Sequence, residues 1–205
     1  MTNNKPLFIT GIGTGIGKTI VSAVLVEKLK ADYWKPVQSG ELDKSDSLKV
    51  KSLISNKNSY IHPETYKLSQ PYSPHKSAAI DGITIDPEKI ILPQTDNTLI
   101  IEGAGGLMVP LKDRFLMIDL IKQLGAEVIL VSQNFLGSIN YTLLSLFALK
   151  EYQIPIKGII FNGVKDIYSK EFILEYSEVK LLGHIPEYNE INKKAIIEAG
   201  NYIDL

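Results

Sequence analysis

Residues 11–19 read Gly11-Ile12-Gly13-Thr14-Gly15-Ile16-Gly17-Lys18-Thr19, between one apolar run and the start of an amphipathic one. Glycine at every second position lets backbone N–H groups turn inward and wrap an anion closely. A helix opening at the end of such a loop adds the partial positive charge of its N-terminus. A lysine followed by a hydroxyl at that point suits a nucleoside triphosphate: Lys18 reaches the β- and γ-phosphates, and the Thr19 hydroxyl ligates Mg²⁺. Gly13, Thr14, Gly15, Ile16, Gly17, Lys18 and Thr19 are therefore the expected nucleotide-binding set. The usual pattern has glycine at position 12, where this chain has Ile12, so the loop is atypical. Two other readings are weaker. A plain glycine-rich turn gives no purpose to the strand–loop–helix setting of Gly17-Lys18-Thr19. A dinucleotide loop leaves Lys18 unused and needs an acidic residue ending a second strand, which is not found.

Glu102 is the next residue whose place demands chemistry. It ends the apolar run 99–102 and precedes Gly103-Ala104-Gly105-Gly106, and a carboxylate there is rarely buried without a cation. The glycines after it are expected to turn and bring backbone N–H groups close to a substrate. Other candidates say little alone. Lys35 precedes Pro36, which biases it toward extended backbone at a strand end, yet a solvated lysine would look the same. Asp46, in a charged loop, reads as a surface residue, and Asn162-Gly163 as a turn pair. His62, His75 and His184 fall in separate segments without metal-ligand spacing. No Ser-His-Asp arrangement is suggested.

The elements that must position these groups are legible as alternating patterns. Short runs over 7–10, 99–102, 128–132, 158–161 and 181–185 are rich in Ile, Val and Leu, as strands buried on both faces of a parallel sheet should be. Residues 33–37 are a weaker candidate. Helical spacing marks 20–30 through Val21, Val24, Leu25 and Leu29. It also marks 118–124, closed by Gly125, and 139–152, through Leu143, Leu144, Phe147 and Leu149, closed by Pro155. Asp86-Pro87 has the form of an N-cap followed by a first-turn proline. Strands alternating with helices predict an α/β fold with a mostly parallel central sheet flanked by helices. The polar stretch 43–74 is expected to be connecting structure over the carboxyl edge of the sheet, where open α/β folds bind ligands. No boundary is visible, so a single domain over 1–205 is expected.

Bulk composition limits the classes further. The 205 residues are 44% hydrophobic, enough for one core in which a chain of this size buries roughly 70% of its unfolded surface. With 22 Lys and Arg against 23 Asp and Glu, the net charge of −1 carries no electrostatic footprint for nucleic acid. Cysteine is absent, which excludes disulfides and thiolate metal sites and suits a reducing cytoplasm. The apolar run 7–9 is too short for a signal peptide, and no run of about 18 apolar residues follows. A soluble cytoplasmic protein without nucleic-acid or membrane partners is the expectation.

Further blocks accompany the loop in a fixed order: Lys35-Pro36-Val37-Gln38-Ser39-Gly40, Ser45-Asp46, Ser73-Pro74-His75 with Ala78-Ala79, and Glu102-Gly103-Ala104-Gly105-Gly106 with Val109-Pro110-Leu111. Gly137-Ser138-Ile139-Asn140 and Gly183-His184-Ile185-Pro186 complete the series. Over residues 6 to about 190 the chain resembles the dethiobiotin synthetases. The resemblance implies a P-loop NTPase-like fold and ATP- and Mg²⁺-dependent carboxylation and ring closure of 7,8-diaminopelargonate with CO₂ or bicarbonate. The path runs through a carbamate and a carbamic–phosphoric anhydride. It implies Lys18, Lys35 and Thr14 as catalytic groups and Thr19, Asp46 and Glu102 as metal ligands. Lys35, Ser39, Glu102, Gly103, Ala104, Gly105 and Gly106 would face substrate, with Gly137, Ile139 and Asn140 contributed across a homodimer interface. Asn162, Pro186, Glu187 and Tyr188 would enclose the adenine.

Gly13 and Gly15 stand where some members of that family carry acidic residues, while others have glycine. Three rival readings fit the sequence less well. An amide-forming synthase of the cobyrinate type needs a glutaminase domain with a cysteine nucleophile, and this chain has neither. A partition or septum-placement ATPase carries a lysine where this chain has Gly13. A small-molecule kinase would release a phosphorylated product.

Overall fold

The computed structural model describes residues 5–205. In chain order the elements are β1 (Leu7–Gly11), α1 (Lys18–Leu29), β2 (Asp32–Trp34), β3 (Val37–Ser39), α2 (Asp46–Leu53), β4 (Ile61–His62), β5 (Tyr66–Leu68), α3 (Pro74–Ile80) and β6 (Leu99–Gly106). They continue with β7 (Pro110–Lys112), β8 (Phe115–Leu116), α4 (Met117–Gln123), β9 (Glu127–Ser132), α5 (Ser138–Glu151), β10 (Ile156–Asn162), α6 (Ile167–Ser177), β11 (Leu181–Ile185) and α7 (Lys193–Ala199).

Seven strands form one sheet in the order β11-β10-β9-β1-β6-β2-β4, every neighbouring pair parallel. β1 lies between β6 and β9, so the strand order reverses around it. The crevice beyond its carboxyl end is the ligand position of open α/β sheets. Alternation along each strand sorts the side chains. Leu7, Ile9, Tyr33 and Ile100 pack with α1, α2 and α7. Phe8, Trp34, Leu99 and Ile101 pack with α3 and α4, and Leu130, Ile159 and Phe161 with α5 and α6. Helices therefore cover both faces, as continuous Ile/Val/Leu strands require. Each fully buried aliphatic or aromatic side chain contributes about 1.5–3 kcal/mol.

Several boundaries differ from the sequence reading. The candidate strand 33–37 is two strands. Pro36 has no N–H for a ladder, so the chain leaves the large sheet after Trp34 and resumes at Val37 as β3, which pairs with β5 in a separate small sheet. The stretch 43–74 is more than connection, since it holds α2, β4 and β5. Ser45 caps α2, its hydroxyl accepting from Leu48 N at 3.3 Å. Residues 103–106, expected as a turn, continue β6, because Gly106 pairs with Gly11 after a register shift. α5 ends at Glu151, ahead of Pro155, where Gln153 takes φ 57. Asp86-Pro87 starts only a 3₁₀ turn, Pro87–Lys89. No apolar spacing announced α6 or α7; Asp166 and Asn192 cap them.

Candidate active site

Three segments converge at the carboxyl edge of the sheet. After β1, residues 12–17 turn into α1. Gly17 has φ +90, and a Cβ there would lie 2.1 Å from Asn162 Nδ2, so the position requires glycine. The same Asn162 amide donates to Ile16 O at 3.1 Å, tying the end of β10 to the loop. Lys18 is buried and donates to Gly13 O at 2.7 Å, closing the loop over its own lysine. Burial is the largest influence on Lys18 and brings its pKa down to about 8. The Glu102 charge opposes that fall, and Lys35 adds to it.

β6 delivers Glu102. Ile9 pairs with Glu102 across β1 and β6, and alternation sends the carboxylate to the α1 side with Ile100. Only 1% of Glu102 is exposed. Its Oε1 accepts from the Thr19 hydroxyl at 2.9 Å and from Lys35 Nζ at 3.2 Å, while Oε2 accepts from the Tyr33 hydroxyl at 2.9 Å. Lys35 follows β2, and the same alternation puts it on the side of Tyr33. Its ammonium also donates to Asp46 Oδ2 at 2.5 Å. Asp46 opens α2, where its backbone N–H donates to Gln38 Oε1 at 3.3 Å, and Thr19 Oγ1 lies 2.8 Å from Asp46 Oδ1.

The charges compensate one another. Burial alone would depress the Lys35 ammonium, but Glu102 and then Asp46 outweigh it and hold its pKa above the ordinary lysine value. Burial also opposes ionisation of Asp46, and Lys35 overcomes this, keeping that carboxyl below its ordinary range. Tyr33 is raised well above the usual tyrosine value by burial first and the Glu102 charge second, so it remains a donor.

These groups line one cavity of about 570 Å³ that includes Thr14, Gly15, Gly17, Lys18, Thr19, Lys35, Ser39, Asp46, Glu102, Ala104 and Gly105. The Ser39 hydroxyl is buried there without a partner among the described residues. Other expected residues lie elsewhere. Ile16 belongs to the core beside α1. A Cβ on Gly103 would meet the Phe8 ring at 2.7 Å, so Gly103 packs inward, and Gly106 sits against Gly11 O. Gly13 contributes its carbonyl to Lys18. Gly137 caps α5, with Ile139 and Asn140 in its first turn, and none of the three lines this cavity. Pro186, Glu187 and Tyr188 follow β11, Tyr188 packing against the α1 side of the core.

Some lining and supporting residues escaped the sequence. Tyr33 and Gln38 hold the two carboxylate segments, and Glu41, Lys49 and Tyr72 complete the cavity wall. Gln38 lies inside the Lys35–Gly40 block, and Tyr33 precedes Lys35 by one strand period. Those were the available signals.

The oxygen set suits Mg²⁺. One Thr19 proton stands between Asp46 Oδ1 and Glu102 Oε1 and can satisfy only one of them fully, so three hard oxygens converge on one point. Mg²⁺ takes oxygen ligands and few from protein. Among the described residues no group of three or more His, Cys, Asp or Glu forms a protein cage.

A glycine loop between a central parallel strand and a helix, with its lysine and hydroxyl beside a carboxylate, defines a P-loop NTPase fold. The solved structure of the septum site-determining protein MinD complexed with Mg-ADP from Pyrococcus horikoshii OT3 shares that fold at a TM-score of 0.63 and 20% identity, over 95% of this chain and 86% of that one. A family model described as an AAA domain matches residues 5–195. The ATP-dependent dethiobiotin synthetase BioD of Christiangramia forsetii is 51% identical over 89% of this chain and 88% of its own. The enzyme of that name from Cytophaga hutchinsonii is 49% identical over 94% and 93%. The chain belongs to the ATP-dependent dethiobiotin synthetase family and is an enzyme of that ligase class.

Proposed function

We propose that this chain, as one domain over residues 1–205, makes dethiobiotin, ADP and phosphate from 7,8-diaminopelargonate, CO₂ and ATP. The observation that carries the reading is the meeting of Lys18 and Lys35 with Thr19, Asp46 and Glu102 around one cavity. One amine of the substrate bonds to CO₂ carbon and loses a proton, giving a carbamate. A carbamate oxygen then attacks the γ-phosphorus, and the bond to ADP breaks. The second amine attacks the carbonyl carbon of the resulting anhydride and expels phosphate, closing the ring. The amines are themselves nucleophiles, so no serine or histidine is needed.

Phosphoryl transfer mainly requires charge held in position. Lys18 and Lys35 supply the fixed cations, with Lys35 kept charged by its two carboxylates. Thr19, Asp46 and Glu102 would hold Mg²⁺, which when bound neutralises triphosphate charge. Backbone N–H groups of Thr14, Gly15 and Gly17 suit the phosphates, and the free hydroxyl of Ser39 suits a carbamate or an amine. Asn162 and residues 186–188 are assigned to border the base; their positions at the ends of neighbouring strands β10 and β11 support this.

The distant carboxylate of the substrate is assigned to the start of α5 in a second copy of the chain, through Gly137, Ile139 and Asn140. Exposed Leu136, Tyr141, Leu144 and Met108 beside that helix start support burial in a homodimer. The reaction is placed in the cytoplasm. No helix among the described residues is long and apolar enough to cross a membrane.

Incubation with the diamine, bicarbonate, ATP and Mg²⁺ tests the reading, with dethiobiotin detected by mass. ADP release is expected only when both diamine and bicarbonate are present. ADP release driven by DNA or a membrane, or a phosphorylated diamine, would replace this reading with a nucleotide switch or a kinase.

A further inference from the structure

We infer that Tyr33 is a positioning residue for Glu102, fixing the rotation of the carboxylate so that Oε1 faces Thr19, Asp46 and Lys35. The inference rests on Glu102 being a metal ligand, as proposed above.

Tyr33 is fully buried in the core between the sheet and α1. It pairs with Ile100 across β2 and β6, two residues short of Glu102. Two residues of strand rise about 6.6 Å, close to the reach of a tyrosine side chain lying along the strand. The phenol therefore arrives at Glu102 from below, through the core, and donates to Oε2 at 2.9 Å. The Thr19 and Lys35 contacts both fall on the other oxygen, at 2.9 and 3.2 Å. A carboxylate has two equivalent oxygens and a soft terminal torsion. Here the two oxygens are made inequivalent: one belongs to the core, the other to the cavity. The ring is locked by packing, so the torsion is set before any ligand arrives. The other carboxylate, on Asp46, reaches the cavity from the first turn of a helix, and among the described residues its oxygens accept from Thr19 and Lys35 alone. Tyr33 is not part of the wall of the active-site cavity and would touch neither ATP nor the diamine, so its action passes through Glu102.

Losing a hydrogen-bonded partner behind a metal ligand typically weakens the metal by about 10–100-fold. Tyr33→Phe keeps the ring and removes only the donor. Binding of Mn²⁺ in the presence of a non-hydrolysable ATP analogue, followed by the electron paramagnetic resonance of free Mn²⁺, should show Kd raised by about tenfold or more. Activity should recover toward the natural rate at saturating Mg²⁺, while the KM for the diamine stays unchanged. Adding Tyr33→Phe to Glu102→Gln should cause no further loss of Mn²⁺ affinity.

A folded Tyr33→Phe protein with natural Mn²⁺ affinity would overturn the inference, as would full additivity in the double variant. Natural Mn²⁺ affinity in Glu102→Gln would instead remove Glu102 from the metal site, a different failure. If Tyr33→Phe does not fold, 3-fluorotyrosine placed at position 33 keeps the shape and alters the donor. A shifted Mn²⁺ Kd then supports the role, and an unshifted one refutes it.

Discussion

The hydroxyl of Thr19 stands 2.9 Å from Oε1 of Glu102, 83 positions further along the chain. The contact joins the first turn of α1 to the middle of β6, and Asp46 Oδ1 approaches the same hydroxyl at 2.8 Å. Removing the charge on the helix side should therefore disturb metal use without touching the phosphate loop. Asp46→Asn is expected to raise the Mg²⁺ concentration for half-maximal ADP release by about tenfold or more. An unchanged Mg²⁺ titration would exclude Asp46 as a ligand.

Lys18 is buried and, among the described residues, its ammonium donates to the loop carbonyl of Gly13 alone. Lys18→Ala removes a buried cation whose pKa burial has already brought to about 8, so the fold should persist. Dethiobiotin formation is expected to fall by roughly 10²–10³-fold, as for other fixed charge stabilisers. Comparable turnover in a folded variant would take the lysine out of the mechanism.

The Ser39 hydroxyl is buried with no partner among the described residues. A buried hydroxyl left unbonded costs desolvation and breaks no bond when removed, so Ser39→Ala should not lower the thermal midpoint. Its KM for the diamine or bicarbonate should rise several-fold. A variant with lower Tm and unaltered KM would assign the hydroxyl to structure alone.

The elements most legible in the sequence were those whose burial is one-sided or complete. Runs 7–10, 99–102 and 128–132 appear as central strands because each is three or four consecutive apolar residues before a single polar one. β4 could not be seen, being two residues long with a histidine in it. α6 was hidden for a different reason: Tyr168, Phe172 and Tyr176 are exposed, whereas its buried residues are Ile173 and Ser177, so its apolar residues do not trace the packed face. In the site, ordered motifs located Lys18, Lys35, Asp46 and Glu102. Tyr33 was invisible because a buried tyrosine leaves the same trace whether it packs or also donates. The glycines at 103–106 suggested a turn, and only the pairing of Gly106 with Gly11 shows why a strand continues through them.

Far from the cavity, Asp32 at the amino end of β2 accepts from Thr95 Oγ1 at 2.6 Å, Asn97 Nδ2 at 2.8 Å and Tyr60 N at 2.8 Å. Burial, the largest influence, pushes its carboxyl up, yet the hydrogen bonds together bring it below aspartate's ordinary 3.8. The unfolded chain therefore takes up this proton first as pH falls. The stability Asp32 supplies is complete above about pH 4–5 and is lost as pH drops through its depressed folded value. Asp32→Asn should cost about 1–3 kcal/mol near neutrality, by urea unfolding, with the gap to the natural protein narrowing in acid. A gap independent of pH would contradict the ionised role.

Asn140 sits in the first turn of α5, outside the cavity of its own chain. Asn140→Ala is expected to raise the KM for the diamine by about tenfold, the worth of one hydrogen bond to a charged group, and to leave that for ATP nearly unchanged. Equal effects on both would remove α5 from diamine binding.

β2 ends at Trp34 in the large sheet and β3 begins at Val37 in the small one, leaving Lys35 and Pro36 to span the gap. Both ends are anchored in separate hydrogen-bonded frames, so those two residues act as a ruler. One residue more or fewer would rotate the lysine away from its carboxylates or break a ladder. Length in that interval is thus held as tightly as the chemistry of the side chains it carries.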